Sequence, residues 1–130
     1  MSNLVSALMG AKSDGFASVK ELGLSGMITL RGDLGSAKMK KAIKAAVGTD
    51  VPSTRKILFG TKGAVAWMSP DELLVLIDYE TTGDVKDAMT KALAGEHFLA
   101  EIVSDARAHF RVSGENAQQA LSKVMPVDFS

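Results

Sequence analysis

The sequence predicts an α+β domain in which helices pack on a mostly antiparallel sheet. Apolar residues recur with helical period in three segments, near 36–47, 85–93 and 115–124. Short apolar runs bounded by glycine and turn residues lie between them and read as strands. Two of the turn signals are too short for a crossover, so they join antiparallel neighbours.

Residues 1–24 read as a docking segment ahead of a single α+β domain, residues 25–130. Leu4, Val5, Leu8 and Met9 share one face of a short helix, which Gly10 and the Ser13-Asp14-Gly15 cluster end. Phe16, Val19 and Leu22 follow at intervals of three. An isolated helix this short is marginal in water, so the lead must dock, either on its own domain or on a partner.

The first strand is expected over 27–31, and Gly32 turns the chain. A helix over 36–47 follows, with Met39, Ala42, Ile43, Ala46 and Val47 as its buried stripe and Lys38, Lys40, Lys41 and Lys44 outward. Gly48 suits its C-terminal cap. Strands over 55–59 and 64–68 flank the hairpin signal Gly60-Thr61-Lys62-Gly63. Ser69-Pro70-Asp71-Glu72 reads as a tight turn because the proline presets φ. The apolar run 73–77 suits a strand covered on both faces.

Asp84 can cap a helix over 85–93, with Val85, Ala88, Met89, Ala92 and Leu93 inward and Gly95 at its end. A strand over 98–103, a corner at Ser104-Asp105 and a strand over 106–112 come next. The last helix, over 115–124, has Ser113 as its cap and Ala117, Ala120, Leu121 and Val124 inward. The order is β-α-β-β-β-α-β-β-α. It contains a ferredoxin-like β-α-β-β-α-β core, extended by an extra strand and a C-terminal helix.

Composition narrows the function classes. The chain is 46% hydrophobic and 23% charged, as a globular domain is. Fifteen basic and fifteen acidic residues cancel, which argues against a phosphate-neutralising surface and so against nucleic acid. The absence of cysteine excludes disulfides, thiolate zinc sites and a cysteine nucleophile. The start MSNLVSALMGAKSD has no basic opening and no sustained apolar run, and nothing approaches the ~20 apolar residues of a membrane helix. A cytoplasmic protein that meets no membrane is expected.

No catalytic constellation assembles from the residues. His97 and His109 fall on different elements without ligand spacing, so a metal site is not expected and His109 reads as a sheet histidine. Ser69 and Ser113 sit at turns, outside any nucleophile elbow. The GDLGS stretch at 32–36 opens a helix whose backbone N–H groups can hold an anion, but it reads as a plain turn and cap, because many helix starts contain Gly and Ser. Asp71 and Glu72 belong to an exposed turn, which does not raise a carboxyl pKa for acid catalysis.

Three segments, taken in order, carry a resemblance. They are AVAWMSPDELLVLID (64–78), VSDARAHFRVSGENAQQALSK (103–123) and MPVDF (125–129), and the early ITLRGD with its helix fits beside them. Together they resemble the gamma subunit of heterotetrameric sarcosine oxidase, over roughly residue 27 to the C-terminus. That resemblance implies a fold related to part of the folate-binding aminomethyltransferase fold. It also implies membership of a complex that oxidatively demethylates sarcosine to glycine. The complex forms hydrogen peroxide and, with tetrahydrofolate, methylenetetrahydrofolate.

The partners so implied are the alpha, beta and delta subunits, and the FAD, FMN, NAD and tetrahydrofolate are expected on those other subunits. No catalytic, cofactor or metal residue carries over to this chain. The expected role is a non-catalytic structural subunit of an oxidoreductase complex. Its interface candidates are Leu4, Val5, Leu8 and Met9 in the lead and Asp105 and Arg107 at the corner, which either fix that corner or face a partner. The alternative is a stand-alone folate-binding or aminomethyltransferase-like module, which requires a deep pocket with a buried carboxylate. A weaker third reading is a ferredoxin-like ligand sensor or RNA binder.

Overall fold

The computed structural model describes residues 4–129; residues 1–3, the start of the expected docking segment, lie outside the described residues. Along the chain run β1 (Lys12–Ser13), β2 (Ser18–Glu21), β3 (Gly26–Arg31), α1 (Ala37–Val47), β4 (Ile57–Phe59), β5 (Ala64–Ser69), β6 (Glu72–Ile77), α2 (Thr82–Ala92), β7 (Leu99–Ile102), β8 (Phe110–Ser113) and α3 (Ala117–Ser122). Two compact units form. One is Ser25–Arg107, and the other joins the described residues up to Leu24 to those from Ala108 onward.

The Ser25–Arg107 unit is a five-stranded sheet in the order β4-β5-β6-β3-β7, antiparallel at every pairing. Without β4 the order is that of a ferredoxin-like core, with β4 as the added edge strand. The two helices pack on each other, α1 also against β5, and α2 against β3 and β7. Ile28 and Leu30 of β3, Ile43 of α1, Leu73 and Val75 of β6 and Leu93 after α2 are fully buried in one cluster. Each such side chain contributes roughly 1.5–3 kcal/mol by leaving water.

Local chemistry explains the elements. Ser36 caps α1 by accepting the N–H of Met39 at 3.0 Å, and Gly48 closes it at φ 88, a left-handed position that favours glycine. The buried stripe of α1 is Met39, Ala42, Ile43, Ala46 and Val47, as its periodicity requires. β5 and β6 meet through Pro70-Asp71, with Ser69 opposite Glu72 and a bulge between Trp67 and Ser69.

Several sequence expectations need correction. The run over β6 is not sealed on both faces: Leu73, Val75 and Ile77 are buried, whereas Leu74 and Leu76 are half-buried. The second helix starts at Thr82, after a 3-10 turn at Tyr79–Thr81, so Asp84 sits in its first turn and Thr81 stands at the cap position. Ala88 and Ala92 are exposed, because α2 rests on α1 and the sheet chiefly through Met89 and the following Leu93.

The second unit departs further from expectation. Residues 4–9 form no helix; 7–10 are turns, and the lead continues into β1 and β2. β2 lies between β1 and β8 in a three-stranded antiparallel sheet, with Glu21 opposite Phe110 and Ser18 opposite Ser113. A short helix without packed neighbours is marginal in water, and here a long-range acceptor, the Glu21 carboxylate, claims the Leu8 and Gly10 backbone donors instead. Because Ser104–Ala106 forms a 3-10 turn, β8 begins only at Phe110 and takes in Ser113, which therefore cannot cap α3. Asn116 stands at that cap position, and its side-chain amide donates to the Phe16 carbonyl at 3.2 Å. Lys123 lies 5.0 Å from the centre of the Phe16 ring, a cation–π contact holding α3 on the β1–β2 turn. Val124, expected inward, is exposed.

Candidate functional site

The built polar feature of the chain is Glu21, at the end of β2. Its side chain is 1% exposed. One carboxylate oxygen accepts the Ser6 hydroxyl at 2.9 Å and the Gly10 N–H at 2.9 Å, and the Leu8 N–H is shared by both oxygens at 3.1 Å. The main chain closes the same loop, since the Glu21 N–H donates to the Ala11 carbonyl at 2.9 Å. The Gly10 N–H lowers the Glu21 carboxyl below its ordinary value; burial opposes this, and the Leu8, Ser6 and Ala7 donors add to it. The charge is stabilised by oriented donors, as in an anion nest.

In front of this carboxylate stand the expected interface residues. Leu4, Val5, Leu8 and Met9 are 69%, 62%, 53% and 79% exposed. Leu8 and Met9 lie on the turn at 7–10 and Leu4 and Val5 on the irregular segment before it, none of them on a helix face. Met9 has φ 51 and Gly10 φ 75, so the turn passes through the left-handed region at a residue with a long side chain.

The corner candidates divide. Asp105 accepts the Tyr79 hydroxyl at 3.0 Å, which pushes the phenol pKa above its ordinary value, with burial and the nearby negative charge adding to it. Arg107 is exposed and has no ion pair among the described residues. Ser104, the other residue of the predicted corner and not one of the interface candidates, is what holds it. It is buried, and its hydroxyl accepts the Met27 N–H at 2.9 Å, while the Val103 N–H donates to the Met27 carbonyl at 2.9 Å. The side chain thus continues the β3–β7 ladder where the backbone turns away.

The remaining candidates are occupied by the chain itself. At the start of α1 the Gly35 N–H donates to Asp33 at 2.9 Å and the Ser36 hydroxyl to Glu96 at 2.9 Å, so that helix start is a plain turn and cap flanked by acids. Asp71 and Glu72 both face Arg31, at 3.9 and 3.4 Å, and Asp71 also accepts the Ser69 hydroxyl. A cleft of about 620 Å³ beside Lys40, Thr54, Trp67 and Pro70 contains no buried carboxylate. Glu21 is the buried carboxylate among the described residues, and its oxygens are spent on the chain's own backbone. No group of three or more His, Asp or Glu residues is placed to hold a metal among the described residues. Nor is any helix among them long and apolar enough to cross a membrane.

These features define a protein of the α+β class with a ferredoxin-like core, in which the buried carboxylate among the described residues is committed to the chain's own backbone. Within that class the chain belongs to the sarcosine oxidase, gamma subunit family: the family model matches residues 31–130. The resemblance carried by the strand-turn-strand and C-terminal segments is borne out. The fold is similar to a chain of heterotetrameric sarcosine oxidase from Corynebacterium sp. U-96, solved in complex with pyrrole 2-carboxylate. The TM-score is 0.73 and the sequence identity 26%, over 92% of this chain and 62% of that chain. This chain thus spans less than two thirds of the relative's length. No curated protein matches it in sequence.

Proposed function

We propose that this chain is a non-catalytic structural subunit, the gamma subunit, of a heterotetrameric sarcosine oxidase. The observation that carries this reading is the family match over residues 31–130. The complex would oxidatively demethylate sarcosine to glycine, with hydrogen peroxide and methylenetetrahydrofolate as further products. FAD, FMN, NAD and tetrahydrofolate belong on the alpha, beta and delta partners. A cytoplasmic setting fits the cysteine-free sequence.

Docking engages the exposed apolar residues Leu4 and Val5 and the turn that follows them with Leu8 and Met9, with Arg107 and Asp105 as polar candidates. Obligate interfaces are rich in apolar surface, and this turn supplies it. Nothing supports the stand-alone folate-binding reading, because the buried carboxylate it requires is already saturated. Co-expression with the larger subunits tests the proposal. The chain is expected to co-purify with them, and the complex to lose stability without it. Separate elution, with an active enzyme assembled from the other subunits alone, sinks the reading.

A further inference from the structure

Residues 4–10 read LVSALMG and carry no charge, in a chain that is 23% charged. Four of them are large apolar residues, each more than half exposed. Such a run ordinarily collapses onto its own protein or associates with another. Here it does not fold back onto its own protein: backbone hydrogen bonds hold the turn with these side chains outward. The Leu8 and Gly10 N–H groups, on either side of Met9, both go to Glu21; the Met9 N–H goes to the Ser6 carbonyl at 3.3 Å and the Ala11 N–H to the Leu8 carbonyl at 3.1 Å. A positive φ at Met9 is costly for a residue with a side chain and persists where surrounding bonds over-determine it. The buried carboxylate provides that over-determination, and the strain falls at the tip where Leu8 and Met9 face outward.

We infer that Glu21 is a positioning residue for subunit docking. Its carboxylate pre-orders residues 6–10 into a knob, and that knob presents Leu8 and Met9 to an apolar, uncharged recess on a larger subunit. The inference rests on the docking reading proposed above and adds how the contact is prepared. The absence of charge along 4–10 sets the chemistry of the recess, since a charged wall there would be buried without a partner. Ordering the knob before contact removes an entropic cost that a loose arm would bear during association.

The test uses the full chain titrated into a complex of the other subunits. Three variants are compared, Leu8→Ser with Met9→Ser, Glu21→Gln, and Ser6→Ala, alongside amide exchange at Leu8, Gly10, Ile28 and Val75. Glu21→Gln keeps the shape but offers the knob one acceptor oxygen where the carboxylate offers two. It is expected to speed exchange at Leu8 and Gly10 about tenfold or more. The same variant should weaken assembly about tenfold, with Ile28 and Val75 still protected. Ser6→Ala removes one donor and should act in the same direction with a smaller effect.

If the Leu8/Met9 double variant assembles normally, the docking reading falls and this inference with it. If the double variant is weakened but Glu21→Gln assembles like the wild type despite faster exchange at Leu8 and Gly10, the inference alone is overturned. Should Glu21→Gln also lose protection at Ile28 and Val75, Ser6→Ala decides, and undiminished assembly by it overturns the inference. Dimerisation of the isolated chain through the knob, read by sedimentation and abolished by the double variant, would overturn the choice of a larger subunit as occupant.

Discussion

Glu21 accepts the Gly10 N–H at 2.9 Å, a side chain from one strand fastening the turn that precedes its neighbouring strand. The bond is strong in kind because the acceptor is charged and shielded from water. It also makes the turn sensitive to acid. The folded carboxyl titrates below its ordinary value of 4.5, so its stabilising contribution is complete above pH 4.5 and is lost as pH falls through the folded value. Protection factors at Leu8 and Gly10, corrected for intrinsic exchange and followed from neutral pH downward, should hold steady and then collapse in that acid window. Glu21→Gln should show low protection throughout. Equal, pH-independent protection in both proteins would contradict the arrangement.

Ser104 and Met27 provide a prediction within the core unit. The Met27 N–H is buried in β3, and the Ser104 hydroxyl is its acceptor at 2.9 Å. Ser104→Ala leaves that donor without a partner in a place water does not reach. The cost should be about 1–3 kcal/mol. Denaturant unfolding should show a lower midpoint with an unchanged slope. Ser104→Cys, a poorer acceptor of similar size, should fall between the two. A midpoint equal to that of the wild type in Ser104→Ala would mean that the hydroxyl does not complete the ladder.

Tyr79 and Asp105 make a spectroscopic prediction, since Tyr79 is the single tyrosine of the chain. Its hydroxyl donates to Asp105 at 3.0 Å, and that bond, then burial, then the negative charge raise its pKa above 10.0. A raised phenol pKa stabilises the fold below the ordinary value and loses that contribution as pH rises through the folded value. Ultraviolet titration should therefore place phenolate formation above 10.0 in the wild type and move it back toward 10.0 in Asp105→Asn. If Asp105 instead faces solvent alone, the two titrations will coincide.

The sequence displayed what local patterns encode. Helix α1 could be read because its 3.6-residue period, Ser36 and Gly48 all point to one helix. The β5–β6 hairpin could be read because Pro70 fixes the turn between two apolar runs. The strand and helix order from β3 onward matched for the same reason. The lead could not be read this way. The strand character of Ser18–Glu21 depends on pairing with Phe110–Ser113, far along the chain, and no local pattern announces it. Intervals of three at Phe16, Val19 and Leu22 have a helical look, but Val19 lies in β2, Phe16 in the turn before it and Leu22 just after it, all exposed or half-buried. Glu21 was missed for a related reason: an acid in a polar strand looks solvated until the turn that encloses it is known. The interface candidates at Leu4, Val5, Leu8 and Met9 rest on a helix that does not form; all four are exposed nonetheless, with Leu8 and Met9 held on the turn at 7–10.

Gly26 gives the last prediction, and it concerns space. It opens β3 opposite Ile77, beside the turn into α2. A Cβ on Gly26 would collide with the Thr82 hydroxyl and lie 2.6 Å from the Asp78 carbonyl oxygen and 2.7 Å from that of Ile77. Two of these atoms belong to backbone that cannot step aside cheaply. The third is fixed as well, because the Thr82 hydroxyl donates to the Asp78 and Tyr79 carbonyls at 3.0 and 2.8 Å. Gly26→Ala must therefore push β3 away from the start of α2, at a cost of about 1–3 kcal/mol. Gly83→Ala, on the same helix with open space around it, serves as the control and should be neutral or slightly stabilising. Thermal unfolding of the two variants separates the cases. The lower transition temperature should belong to Gly26→Ala, and combining it with Thr82→Ala should recover part of the loss by removing one of the three colliding atoms.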